Sequence, residues 1–183
     1  MQPEALAINA SMPAFADLPD VSGARRSAKD FLPAKVLIVV FSCNHCPYVQ
    51  AYEDRMIAFQ KEYAQKGVRL IAINSNETQN YPEDNFEEMV KRAATKKFNF
   101  PYVRDDDQCV AEAFGATHTP EFFVFEVKGD RTALRYHGKM DDNYQNAAAV
   151  KRHYLREAVD AILAGDPVNE PETHSIGCTI KWR

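Results

Sequence analysis

Apolar positions along this chain follow two rhythms that alternate. The run "VLIVVF" at positions 36–41 is continuous and rich in β-branched residues, which predicts a strand buried on both faces. "VRLIAIN" (68–74) repeats that pattern. Between them Val49, Tyr52, Met56, Phe59 and Tyr63 step by three or four, which predicts a helix from Pro47 to Lys66 that stops at Gly67. After the polar stretch "SNETQNYPED" (75–84), Phe86, Met89, Val90 and Ala93 predict a second helix with those four on its inner side. "FPYVRD" (100–105) reads as a short strand, and "QCVAEAF" (108–114) as two helical turns closed by Gly115. "EFFVFEV" (121–127) and "RTALRYHG" (131–138) read as a hairpin turning at Lys128-Gly129-Asp130. A last helix is predicted from about Ala147 to Leu163, with Leu155, Val159 and Ile162 inward and Gly165 at its end.

Strand–helix–strand units followed by a hairpin and a helix predict an α/β fold: a central mixed sheet flanked by helices. The Pro- and Ala-rich residues 1–34 read as a small hairpin or extended lead-in, and residues 166–183 as a C-terminal tail. At 183 residues the chain fits one domain, 1–183, with its core at about 10–165.

Charge changes the picture only by exclusion. With 22 basic and 26 acidic side chains the net charge is −4, and no block of Lys or Arg points to nucleic acid or an anionic membrane. No apolar run approaches the ~20 residues that cross a bilayer. "MQPEALAINASMPAF" lacks a basic segment followed by an apolar one, so the expected location is cytoplasmic. "DDD" (105–107) and "KRAATKK" (91–97) read as solvated charge and turn chemistry.

Candidate chemistry centres on "FSCNHCPYV" (41–49). Cys43 and Cys46 lie where a buried strand becomes a helix, at the carboxyl end of a strand, where open α/β sheets collect ligands. A thiolate attacks disulfides far better than a thiol, and a helix N-terminus favours the anion. Pro47 suits the first helical position, two intervening residues allow a small disulfide ring, and His45 adds charge or hydrogen bonding. A structural zinc half-site and a pair of inert core cysteines are the competing readings. Zinc needs two further ligands, and the other cysteines, Cys109 and Cys178, stand alone. Four cysteines are too few for a disulfide scaffold. Cys109 reads as a small buried side chain and His118 as a loop residue at the rim. Cys178 reads either as an extra redox thiol or as part of a tail that packs on the domain. Thr119-Pro120, directly before a buried strand, is a candidate cis peptide bond. The long connection 75–84 reads as a rim of the substrate groove.

Taken together, strand–C-x-x-C–helix, Thr119-Pro120 before "EFFVF", the lead-in "MPAFADLPDVSG" and the ending "GCTIKW" resemble the thioredoxin-fold superfamily, in its peroxiredoxin-like, TlpA/AhpC-related branch. The resemblance implies an enzyme that exchanges dithiol for disulfide, with Cys43 the exposed nucleophile and Cys46 the more buried resolving thiol. It implies that Asn44, His45, Pro47, Thr119 and Pro120 shape the site or meet substrate, and that neither metal nor organic cofactor takes part. It also implies a disulfide-containing protein or small-thiol substrate, and a separate reductant such as thioredoxin reductase or a thiol pool. A thiol peroxidase and a non-enzymatic zinc-binding or partner-docking module are the alternatives. Aligned on Cys46-Pro47, the threonine of the peroxiredoxin T-x-x-C is replaced by Cys43.

Overall fold

The structure, a computed structural model, describes residues 4–183. Two short strands, β1 (Leu18–Pro19) and β2 (Arg25–Arg26), pair as the small N-terminal hairpin. Strand β3 (Val36–Phe41) leads into helix α1 (Pro47–Tyr63), β4 (Val68–Asn74), α2 (Phe86–Lys96) and β5 (Tyr102–Arg104). Then come α3 (Cys109–Phe114), β6 (His118–Thr119), β7 (Glu121–Lys128), β8 (Arg131–Gly138), α4 (Tyr154–Ala164) and β9 (Cys178–Thr179).

The main sheet runs β5-β4-β3-β7-β8, with β3 parallel to β4 and antiparallel to β7. All six residues of β3 are buried, because the central strand is covered on both faces. Val36, Ile38 and Val40 face α1, α2 and α4. Leu37, Val39 and Phe41 face α3, the N-terminal lead-in and Ile180 of the tail. This is the mixed α/β sheet that the alternating rhythms predict, and the five residues chosen for the inner face of α1 are all buried. Among the described residues no helix is long and apolar enough to cross a membrane.

Several expectations need correction. In α2, Met89 and Ala93 are buried, but Phe86 and Val90 lie on the exposed side, since an eleven-residue helix at the sheet's border covers only a narrow stripe. The last helix starts at Tyr154 rather than near Ala147. Residues 147–149 make only a short 3₁₀ turn capped by Asn146. The segment after it is drawn out of helix by the preceding loop: Asp142 N–H donates to Arg152 C=O, and Lys151 N–H donates to the Asp142 carboxylate. Cys109 is exposed, not buried, because Val110, Ala111 and Phe114 take the inner face of α3. Asp105 is buried rather than solvated: its carboxylate accepts from Ser75 Oγ and from the amides of Val110 and Ala111 at the start of α3.

The face opposite α1 is an aromatic cluster. Phe123, fully buried in β7, meets Phe114 and Phe41 edge-on at 5.2 and 5.8 Å and stacks on His137 at 4.4 Å. Phe123→Ala should destabilise the chain by about 3–5 kcal/mol through lost burial and the cavity left behind, read as a shifted midpoint in denaturant unfolding.

Candidate functional site

Strand β3 ends one residue before the thiols, and its hydrogen bonding continues one step further, with Ser42 N–H donating to Ile73 C=O at 2.8 Å. The chain then leaves the sheet, and α1 opens with Cys46 as its N-cap residue and Pro47 at the first helical position. Proline fits there because its missing N–H would have had no partner in the first turn. Cys43 and Cys46 thus stand over the positive end of a 17-residue helix.

Three segments far apart in sequence close around them. The Thr119–Pro120 peptide bond is cis, as expected, and brings Thr119 against the pair. Cys43 Sγ lies 3.5 Å from Thr119 Oγ1, and Cys46 Sγ lies 3.4 Å from the Thr119 carbonyl oxygen. The tail strand β9 pairs antiparallel with β6, Thr119 opposite Cys178. That register sets Cys178 Sγ 2.8 Å from Cys46 Sγ, closer than an ordinary non-bonded contact and not far outside the S–S bond length of about 2.05 Å. The third segment is the 75–84 connection. It folds beneath the thiols and delivers Asp84, whose side chain is 0% exposed. Asp84 Oδ1 accepts from Asn44 N–H at 2.6 Å and Oδ2 from Asn76 Nδ2 at 2.9 Å, and His45 Nδ1 lies 2.5 Å from the same Oδ2. Asn44 is fixed further: its Nδ2 donates to Glu83 C=O, and its Oδ1 accepts from the buried Tyr102 hydroxyl. Tyr81 stacks on the outer face of His45.

The electrostatics favour one anion shared unequally. Cys46 is drawn down to about 4, first by the Cys43 thiol that donates to it, against the cost of burial, and further by the Cys178 thiol and the amides of Val49 and Cys178. Cys43 is pushed up, first because its proton is held against Cys46, then by burial and by the Asp84 charge. Cys178 is pushed up to about 11 by burial and by donating to Cys46. Two thiols and two amides therefore surround this sulfur and outweigh its burial.

This changes two expectations about Cys43. It is not exposed: Cys43 and Cys46 are 2% and 0% accessible, because Thr119 and the tail cover them. The donors also gather on Cys46, the N-cap, rather than on Cys43, so the surroundings lower Cys46 and raise Cys43. Asn44, His45, Pro47, Thr119 and Pro120 all fall in this cluster. His118, half-buried, sits one residue before Thr119 with its Nδ1 on Thr117 Oγ1, and Cys109 lies elsewhere on α3. Reading the sequence misses Asp84, Asn76 and Tyr102. The available signal was the polar length of 75–84, but nothing there marks one acid among several. Among the described residues, Cys43, His45 and Asp84 also offer ligand atoms within 4.8 Å of one another, a set able to face a metal ion. Asp84 already spends both oxygens on Asn44 and Asn76, and the group offers three ligand residues where structural zinc takes four, so the donor set suits thiol chemistry better than zinc.

The AhpC/TSA family profile matches residues 8–134 of the chain. Among solved structures, a hypothetical protein of Sinorhizobium meliloti 1021 is similar with a TM-score of 0.89 and 36% identity, over 100% of this chain and 98% of that one. An uncharacterized conserved protein of Geobacillus kaustophilus matches with a TM-score of 0.88 and 37% identity, over 100% and 94%. The thioredoxin domain of a thiol-disulfide oxidoreductase of Bacteroides vulgatus shares the fold, with a TM-score of 0.58 and 20% identity over 73% of this chain and 91% of that one. No curated protein matches the chain.

Asp84→Asn keeps the acceptor for Asn44 but removes a charge that, after the Cys46 contact and burial, adds to the raising of Cys43. The Cys43 thiol should titrate lower, so site-resolved alkylation of the reduced chain should modify Cys43 faster at a given pH. Unchanged or slower modification would remove Asp84 from the electrostatics of the site.

Proposed function

The chain belongs to the AhpC/TSA family, and from that premise we propose that it is a thiol-disulfide oxidoreductase whose working couple is Cys43 and Cys46. The observation that carries this reading is the placement of two buried sulfurs at the mouth of α1, both against Thr119 of the cis Thr119–Pro120 bond, where the surroundings lower Cys46 and raise Cys43. In the reduced pair, the Cys46 thiolate is the attacking sulfur. It takes one sulfur of a substrate disulfide and expels the other as a thiolate. Cys43 then attacks Cys46 Sγ and closes the 43–46 bridge, its proton leaving with the second substrate sulfur. Two electrons pass from the cysteine pair to the substrate disulfide, which becomes one thiol and one thiolate. Run backwards, the same steps oxidise a dithiol.

The neighbours have separate tasks in this proposal. Thr119 lies against both sulfurs: its hydroxyl is 3.5 Å from Cys43 Sγ, and its carbonyl oxygen, 3.4 Å from Cys46 Sγ, accepts from that sulfur whenever it carries a proton. Asn44 and His45 tie the turn between the cysteines to Asp84, so that the loop keeps its shape whichever sulfur carries the bond. In this proposal the working compartment is the cytoplasm, the substrate is a disulfide-containing protein or small disulfide, and a separate reductase or thiol pool returns two electrons to the 43–46 bridge.

A second reading, thiol peroxidase, draws on the same anion. Cys46 holds the place of the reactive cysteine in the peroxiredoxin pattern and is strongly acidified. Reaction with hydrogen peroxide separates the two: the oxidoreductase reading expects slow sulfenate formation on Cys46 and fast exchange with disulfides, and the peroxidase reading the reverse.

Equilibration with glutathione buffers, followed by non-reducing peptide mapping, tests the couple directly. A 43–46 bond is expected, and Cys43→Ser or Cys46→Ser should each lower turnover of a model disulfide by about 10²-fold or more. A chain that never forms this bond, or one that binds a zinc ion lost in Cys43→Ser, would overturn the assignment.

A further inference from the structure

We infer that Cys178 is the outward-facing sulfur of a three-thiol relay, through which the buried Cys43–Cys46 couple exchanges with small disulfides and thiols. The inference rests on the oxidoreductase reading and names how its substrate reaches the pair.

Accessibility comes first. Cys43 and Cys46 have almost no surface, whereas Cys178 is half-buried and presents some. A reagent from solution therefore meets Cys178 before either of the others. Its contact with Cys46 is built, not incidental. Gly177 runs so close to β6 that an added Cβ would stand 2.1 Å from the Thr119 carbonyl oxygen, so only glycine lets the tail approach this far. Beyond Cys178 the tail is clamped. Ile180 is buried, and its N–H donates to Thr117 C=O. Lys181 N–H donates to Asn76 Oδ1, and its carbonyl accepts from Glu77 N–H and Gln108 Nε2. These contacts on both sides of Cys178 fix the register that sets it opposite Thr119 and against Cys46.

The same geometry narrows the substrate. Strand β9 occupies the free edge of β6 beside the cysteines, so an extended polypeptide has no backbone there to pair with. A low-molecular-weight disulfide needs only one exposed sulfur.

The steps balance. Cys178 passes its proton to Cys46 and attacks a small disulfide R–S–S–R as the thiolate, forming Cys178–S–S–R and expelling R–S⁻, which takes the proton back from Cys46 and leaves as R–SH. The Cys46 thiolate attacks Cys178 Sγ, forming the 46–178 bond and expelling R–S⁻. Cys43 attacks Cys46 Sγ, forming the 43–46 bond, and its proton passes to the released Cys178. Two electrons have moved from Cys43 and Cys46 to the substrate, and Cys178 ends as it began. In reverse, a small thiolate attacks the exposed Cys178 end of the 46–178 bond, and the departing sulfur is Cys46, the most acidic of the three and so the best leaving group.

The test uses the reduced full-length chain, glutathione disulfide and site-resolved mass mapping over time. Cys43→Ser should stop with a 46–178 bond, and early glutathione adducts should lie on Cys178. Cys178→Ser should oxidise with glutathione disulfide at least about tenfold more slowly than the parent. Glutathione on Cys46 in Cys43→Ser with no 46–178 bond, or a Cys178→Ser chain as fast as the parent, would overturn the relay. A parent chain that forms 46–178 but never 43–46 would instead overturn the couple and leave the role of Cys178 standing.

Discussion

One negative charge on a buried sulfur is the constraint around which the rest of this molecule is arranged. An anion in an apolar interior is costly unless donors replace the water it loses. Cys46 obtains them from two directions: thiol protons from Cys43 and Cys178, and amides of Val49 and Cys178. The helix behind it adds the field of its unpaired first-turn N–H groups. Cys43 and Val49 flank Cys46 in sequence, whereas Cys178 comes from the tail 132 residues further on, so the full donor set exists only when the tail is docked on the cysteine turn.

That requirement explains features that otherwise look unrelated. The fully buried β3 gives the cysteine turn a rigid root. The cis peptide bond before Pro120 and the glycine at 177 bring β6 and β9 close enough to touch the sulfurs. Asp84 works from below with the opposite sign. Its own charge is met by Asn44, Asn76 and His45, and its field keeps the neighbouring Cys43 protonated. A donor-rich sulfur next to a carboxylate-facing one is a way to make two chemically identical side chains unequal.

The fold was legible where burial writes itself into periodicity. The β3 and β4 runs and the inner stripe of α1 follow from one strand period and one helix period, and C-x-x-C between them marked the site. Legibility failed where a long-range contact overrides a local preference. Ala147–Ala149 has strong helical propensity, yet the loop at Met140–Asp142 holds the following residues extended. Asp105 looks like one of three solvated acids until β5 and α3 enclose it. Which cysteine carries the charge depends on Asp84 and Cys178, which lie 41 and 135 residues from Cys43 (84 − 43 and 178 − 43). No spacing near the motif records them.

The thiolate's ultraviolet absorbance, followed across a pH titration of the fully reduced chain, tests this account most directly. A single anion should appear with a midpoint of about 4 and be absent from Cys46→Ser. In Cys43→Ser the midpoint should rise, because a donor to the anion is gone. A midpoint near the ordinary thiol value of about 8.5, or an early-titrating anion that survives in Cys46→Ser, would contradict it.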